Sequence, residues 1–584
     1  MTVALPEIPA AAGARPEAPG ERRWGPLWAH ATGLLLVLLA FLPYIGTEGL
    51  FFSDEGAALA QVEMLDSGEG WTMSHPLPEV DPTEDGEYFP FVFSSRSGDQ
   101  YAPFAKHPLY VVALWGSTEL AGSWGPLLLS VLGTWLAAVL GALIARHIDR
   151  RLDLATLWVI GLASPLLFDS YQVVAHSLGA AGAAACALAL INLFTSRRTA
   201  WLPGALLALA LTVLLRNEGV LYGIAVAVVI AGLALRRRDL LAGLTSAAVA
   251  AVSAAMYLVT AELEGWVMGG EVELFAIEGA SGGFVGSRLS GLYASVLRAT
   301  TVGIGVRTVV MLVALVSLVC GAWLIRTKPA ERGLIRFCAV LGAVAVLTRM
   351  LVGPPSTIPG LAMAFPAGVA AAVLLRRRHL TGFVTPFLLL TSAVYALGVL
   401  ATQYANGGGA EWGGRYFHLV LPLVVPVLVL ALRDGGRALD RRTWRTVLAS
   451  LAAVSIALGV MVLRTHHHNR YFTAAVVQEI ADVSDLAADA DSEAGPVVIT
   501  NMEHLGRLAW NEAVHGRWLW VDEGSIGQVA TNLADQGVEE FTFAAPEDAE
   551  EDLTAFEDHY EVVDEWHPPE IGSWTVALLR ARSR

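Results

Sequence analysis

Charge is scarce in this chain, and lysine is scarcer. Only 16% of the 584 residues are Asp, Glu, Lys or Arg, against about 25% in an ordinary soluble domain. Lysine occurs twice, as Lys106 and Lys328, and cysteine three times, as Cys186, Cys320 and Cys338, each inside a long apolar run. That cysteine content excludes a disulfide framework in the C-terminal part and a CxxC-type zinc site anywhere. A chain that is 55% hydrophobic with a mean hydropathy of +0.54 is neither disordered nor built to bind nucleic acid, and the composition argues against a soluble enzyme. Basic residues are almost all arginine. With so much Ala and Gly, that bias is the mark of a GC-rich bacterial genome and carries no mechanism.

What is present is unevenly spread. The net charge of −16 lies almost wholly in one segment: from Thr465 to Arg584 there are 24 acidic residues and 6 arginines. The remainder is a nearly neutral, apolar body. A bilayer core is crossed by roughly 20 apolar helical residues, with about 17 to 25 usable. That length gives 13 candidate spans, at 29–47, 124–145, 154–169, 176–195, 200–215, 219–235, 239–261, 301–325, 334–352, 360–375, 381–402, 416–432 and 446–464. The segments 154–169 and 200–215 are short.

With the N-terminus taken as cytoplasmic, every second connection is arginine-rich. These connections hold Arg22 and Arg23, then Arg146, Arg150 and Arg151, and on to the run from Arg433 to Arg445; together they carry 22 of the 38 basic residues. This is the positive-inside pattern, and it puts the acidic C-terminal segment outside a bacterial plasma membrane. The expected fold class is therefore a multi-spanning α-helical membrane protein, about 13 spans, with a small external C-terminal α/β domain. Residues 1–23 read as a disordered cytoplasmic N-terminus, 24–464 as the transmembrane domain with a large outer loop at 47–122, and 465–584 as the acidic extracytoplasmic domain. The first apolar run has no small-x-small cleavage site and reads as a retained anchor.

Within the outer loop, residues 107–120 read as a helix along the membrane surface; in a second outer segment, 262–300, the Gly-rich stretch 279–286 reads as a mobile loop. In the C-terminal segment, strands are expected at 496–500, 517–521, 540–544, 560–563 and 574–578, with helices near 502–513, 525–536 and 548–556. The triplet His466 to His468 reads as a solvated junction between the last span and this domain.

Ionisable residues at the outer ends of spans are the informative set, because charge near lipid is expensive and seldom idle. Asp54 and Glu55 follow the first span. They suit general-base work or a divalent metal, or else Ser53 or Asp54 is simply a helix N-cap. Lys106, beside His107 and ahead of Pro108, is a point charge suited to phosphate. Asp169 lies in a short turn, with His176 a few residues on. Arg216 stands in an outer turn against the prevailing charge trend; it either pairs with Glu218 or binds an anion that Glu218 helps to orient. Finally, a glycine-rich stretch with Glu411 leads into Arg415, Tyr416 and His418 at the head of a span. Polar side chains there favour binding over packing.

These residues resemble a family. A carboxylate opening the first outer loop, a Lys-x-Pro-Leu-Tyr element later in that loop, a second aspartate between the third and fourth spans, and an Arg-x-Glu-Gly turn are similar to motifs of the GT-C superfamily of integral membrane glycosyltransferases. The branch resembled contains the lipid A aminoarabinose transferases, the protein O-mannosyltransferases and the lipopolysaccharide-core transferases. The resemblance implies a sugar donor linked to polyprenyl phosphate in the outer leaflet and an envelope acceptor (glycan, lipid or protein). It implies Asp54 as catalytic base, Asp169 as the second outer carboxylate and Lys106 as the lysine of the donor phosphate. The Gly413–Tyr416 element resembles one found in many bacterial members. His107 stands where relatives often have a second proline.

The expected site is thus Asp54, Glu55 and Asp169 for catalysis and Lys106, Arg216 and Arg415 for the donor phosphate. His107, His176, Glu218, Glu411 and Tyr416 complete it as substrate contacts. Any divalent metal would fall to Asp54 and Glu55. A flippase for a lipid-linked saccharide and a non-catalytic membrane scaffold are the competing classes.

Overall fold

The computed structural model describes residues 25–81, 88–92, 94–270, 273–274, 283–297, 305–352, 359–402, 412–487, 496–546, 549–567 and 574–582. The expected N-terminal disorder, the stretch 279–282 and Glu411 lie outside these residues.

The chain is a multi-pass helical membrane protein. Among the described residues, ten helices are long and apolar enough to cross a bilayer, from Gly25–Ile45 (α1) to Arg441–Leu486. The other three expected segments are helical but short or broken. The helix Asp153–Trp158 runs into a π-turn at Val159–Ala163 and stops at Ser164, ahead of Pro165. The helix Trp201–Leu215 has only 15 residues. The segment around 361–373 divides at Phe365, where Pro366 opens a new helix. Hydropathy counts apolar residues along the chain; it does not register a proline that removes an N–H and clashes with the preceding turn. Large apolar side chains left outside the packed interior, among them Leu36, Leu211, Leu258 and Ile456, are those a bilayer would cover.

Between α1 and the next long span lie the helices Ser53–Asp66 (α2) and Pro108–Ala121 (α3). A small antiparallel sheet sits between them, made of β1 (Met73–Ser74), β2 (Ser95–Ser97) and β3 (Gln100–Ala102), with β4 (Glu273–Leu274) added from a later connection. Pro108 opens α3 at its first turn, where a missing N–H is harmless. With Gly125–Ile148 (α4), α3 forms an almost continuous apolar stretch.

The helix that carries the last expected span continues past residue 464. One helix runs without interruption from Arg441 to Ala487, crossing residues 464–465. His466, expected to be solvated, is consequently wholly buried, its Nε2 at 3.0 Å from the Phe168 carbonyl.

Beyond this helix is a five-stranded sheet of β5 (Val497–Thr500), β6 (Arg517–Trp520), β7 (Glu540–Ala545), β8 (Tyr560–Trp566) and β9 (Thr575–Ala581). The order is β6-β5-β7-β9-β8; β6, β5 and β7 are parallel, and β9 and β8 antiparallel. One apolar cluster under the sheet includes Val498 and Val576 together with Ala60 and Met64 of α2, Phe89 and Phe91 of the outer loop, and Val476 and Ile480 of the long helix. The sheet is therefore seated on α2 by a shared core.

Glycines make that seating close. A Cβ on Gly56 would lie 1.6 Å from the Arg507 carbonyl oxygen, and one on Gly49 would lie 1.9 Å from that of Arg470. Both neighbours are backbone and cannot turn aside. Overpacking of this kind costs about 1–3 kcal/mol or more. Gly56→Ala should accordingly lower the thermal midpoint of detergent-purified protein measurably, while Gly204→Ala, whose added Cβ would meet nothing within 4 Å, should not. Equal midpoints for the two variants would refute the close docking.

Candidate active site

The first turn of α2 decides the geometry. Phe52 is its N-cap, in extended conformation, and no side chain caps the helix. Neither Ser53 nor Asp54 therefore serves the capping role that the sequence leaves open. Successive helical residues point about 100° apart, so Asp54 and Glu55 face different surroundings.

Glu55 points inward and is wholly buried. It accepts from the backbone N–H groups of Phe51 at 2.9 Å and Val173 at 2.8 Å, and from Arg470 Nη2 at 3.1 and 3.0 Å. Arg470 also donates to the carbonyls of Gly49 and Tyr171. Burial pushes the Glu55 carboxyl up, against the pull of Arg470 and the two N–H groups. A carboxylate enclosed in this way is a latch between α2, the long helix and the turn after Asp169. The expectation of a shared Asp54–Glu55 metal site does not fit, because the two carboxylates engage separate partners. Among the described residues, no group of three or more His, Cys, Asp or Glu is arranged to hold a metal.

Asp54 turns the other way, with its side chain one-third exposed. Arg415 Nη1 lies 3.4 Å from Oδ2 and Arg507 Nη1 lies 3.2 Å from Oδ1. Burial raises the Asp54 carboxyl, but the two guanidiniums, with a smaller pull from Lys106, outweigh it and hold it below the usual carboxylate range. Placed in the first turn, it is favoured as an anion by the helix dipole as well. Lys106 is half-buried; burial and then the neighbouring Arg507 lower its ammonium, while Asp54 and Glu264 pull it back.

Local sequence explains how these side chains arrive. Gly413 and Gly414 both take positive φ, +79° and +66°, which side chains rarely adopt. They turn the chain into the short helix Arg415–Val420. The Arg415 guanidinium then lies over the Tyr416 ring at 5.0 Å and donates to its hydroxyl at 3.3 Å. His107 has φ +57°. Its proline neighbour steers it away from the helical region, and a left-handed non-glycine residue is a local strain of the kind found at functional sites. Burial, followed by the charge of Arg216, holds the His107 imidazole to about 4, so it is neutral at pH 7.

The remaining expected residues form a second, deeper group. Arg216 donates to Glu218 through Nε at 2.9 Å and Nη2 at 2.8 Å, and its Nη1 lies 2.7 Å from His176 Nε2. Of the two roles open in the sequence, the structure shows the local pair; the fork is already filled by Glu218. Asp169 is wholly buried, with Oδ2 2.7 Å from His418 Nδ1. It is the partner of His418 and is enclosed away from solvent. The His176 and His418 rings are 6.3 Å apart, so the two pairs adjoin.

Sequence reasoning missed Arg470 and Arg507. The one available signal was their rarity, as two of six arginines in a strongly acidic segment. A cavity of about 480 Å³ lies along another face of α2, bordered by Glu48, Glu63, Arg470, Trp510 and Glu512. Asp54 is not among its lining residues.

No protein-family model matches the sequence, and no curated protein sequence matches it. Similar solved structures include ArnT from Cupriavidus metallidurans bound to undecaprenyl phosphate. That match has 16% identity over 95% of this chain and 98% of that one, with a TM-score of 0.46. The same protein in the apo state matches at 17% identity over 94% and 98%, with a TM-score of 0.45. The Archaeoglobus fulgidus oligosaccharyltransferase, in complex with zinc and sulfate, matches at 14% identity over 92% of this chain and 72% of that one, with a TM-score of 0.48. At this level of likeness, function has to be argued from the site itself.

Breaking a buried ion pair by removing one partner costs about 3–5 kcal/mol. Arg470→Met should therefore destabilise the protein severely, and Glu55→Gln with Arg470→Met together should recover part of the loss. Thermal unfolding of the single and double variants in detergent measures this. A single variant as stable as the parent would remove Glu55 from the structural role.

Proposed function

We propose that the chain is a glycosyltransferase that moves a sugar from a polyprenyl-phosphate donor to an envelope acceptor at the outer face of a bacterial plasma membrane. The observation that carries this reading is Asp54. It is a partly exposed carboxylate at a helix start that caps nothing and instead faces Arg415, with Lys106 in electrostatic reach. A base and cations set side by side suit a reaction in which a hydroxyl loses a proton while a phosphate departs.

The steps follow from those positions. The acceptor hydroxyl approaches the anomeric carbon of the donor sugar, and Asp54 takes its proton as the new glycosidic bond forms. The bond from the anomeric carbon to the phosphate oxygen breaks, and polyprenyl phosphate leaves with that electron pair. Lys106 and Arg415 stabilise the charge that develops on the leaving phosphate. Tyr416 holds the Arg415 guanidinium by its ring face and hydroxyl. Single displacement inverts the anomeric centre. The neutral His107 and the anchored Arg216, Glu218 and His176 border the deeper part of the site and serve substrate contacts there. Asp169 acts through His418 as a positioning residue.

Two measurements test this. General-base contributions are typically about 10²–10⁴-fold. Asp54→Asn should accordingly lower the turnover of a short-chain prenyl-phosphate sugar in nanodiscs by at least roughly 10²-fold without loss of expression or stability. Lys106→Met should lower kcat/KM for that donor by roughly 10- to 10³-fold, the scale of one lost electrostatic stabiliser. Near-normal turnover in both variants would refute the reading. Orientation is tested separately. An impermeant thiol reagent applied to intact cells should label Asp522→Cys and spare Arg198→Cys; the reverse pattern would put the site on the wrong side of the membrane.

A further inference from the structure

Arg507 belongs to the C-terminal region, between β5 and β6, and its side chain is only 6% exposed. We propose that Arg507 is a third ligand of the donor phosphate, so that the headgroup is bound by both halves of the chain at once. This rests on the function proposed above.

Placement comes first. The backbone at Arg507 presses on α2 at Gly56, and a Cβ on Gly506 would lie 2.3 Å from the Pro90 carbonyl oxygen. Two glycines thus permit an approach that brings the Arg507 guanidinium from the sheet-bearing half to Asp54.

The contact made there points the same way. Arg507 meets one Asp54 oxygen through a single Nη1 at 3.2 Å, and Arg415 meets the other at 3.4 Å. With Asp54, neither forms the two-pronged fork that a guanidinium can make with a carboxylate. Each oxygen of Asp54 has its own cation, which is the arrangement that two non-bridging phosphate oxygens would also satisfy.

Charge adds to this. Lys106 is within electrostatic reach of Arg507, Arg415 and Asp54. Among the described residues, Glu264 beside Lys106, Glu503 beside Arg507 and Glu218 within reach of Arg415 are further acids that face these cations. Asp54 is the acid that hydrogen-bonds to both guanidiniums. A phosphate entering between the cations takes over those contacts and returns the Asp54 edge to the acceptor hydroxyl.

A strut between the halves would not need this position. The Glu55–Arg470 pair and the shared apolar core already join them. A donor phosphodiester carries one charge and the departing prenyl phosphate carries more. A third cation therefore acts more on the leaving group than on the bound donor.

The test is equilibrium binding of a radiolabelled short-chain prenyl phosphate to the full-length chain in nanodiscs. A hydrogen bond to a charged group is worth about 1.5–3 kcal/mol, or about ten- to a hundred-fold in affinity. Arg507→Ala should weaken binding by about that factor, Arg507→Lys by less, and the exposed Arg580→Ala not at all. If the alanine variant does not reach the membrane, Arg507→Gln makes the same comparison. Asp54→Asn should tighten binding by releasing the guanidiniums, and this gain should shrink in the Arg507→Ala background. A structural strut would not produce that coupling. Unlabelled inorganic phosphate at equal concentration should fail to displace the probe; displacement would reassign the ligand to free phosphate.

Unchanged affinity in the Arg507 variants, with affinity lost in Lys106→Met and Arg415→Ala, overturns this inference alone. Unchanged affinity in all of them overturns the proposed function as well.

Discussion

Two adjacent carboxylates at the start of α2 face different partners, and the site depends on that division. Glu55 turns inward to Arg470 and two backbone N–H groups; Asp54 turns outward to Arg415 and Arg507. The inward pair fixes the helix against the membrane body. The outward residue is thereby held at a constant height and angle without being consumed as a cap. A helix start is a natural place for this, since side chains one residue apart diverge by about 100°.

The same helix is the meeting point of the chain's two halves. Its later residues, Ala60 and Met64, enter the core beneath the C-terminal sheet, while Ala58 and Val62 enter the core of the membrane body. Gly56 lets the sheet-bearing half come within backbone contact. The long helix Arg441–Ala487 runs from one half into the other and supplies Arg470 on the way. The acidic segment is thus joined to the site through packing and through two of its few arginines, in addition to being tethered after the last span.

Much of this is legible in the sequence where the signal is local. Hydropathy and alternating arginine-rich connections mark the helical segments, and short runs rich in β-branched and aromatic residues mark the five strands of the C-terminal sheet. Asp54, Lys106 and Arg415 stand out as polar residues at the heads and tails of apolar runs, and the structure brings these three together. Glycines at 413 and 414 announce the turn that delivers Arg415. What is not legible depends on distance along the chain. Arg470 and Arg507 lie 415 and 453 residues from their carboxylate partners, and no spacing rule connects such positions. His466 escapes for a related reason: a triplet of histidines resembles a solvated linker unless the helix is known to continue through it. Arg216 stays open between two roles because a guanidinium beside a glutamate can either close on it or share it, and only the 2.8–2.9 Å fork decides.

The central proposal is that Asp54 and cations from both halves of the chain receive one lipid-linked phosphate. The most direct measurement is a structure of the full chain in nanodiscs with a prenyl-phosphate sugar analogue whose anomeric bond cannot be cleaved. Phosphate density is expected within hydrogen-bond distance of Lys106, Arg415 and Arg507, with the Asp54 carboxylate freed toward the anomeric carbon. Headgroup density elsewhere, with both guanidiniums still on Asp54, would contradict it.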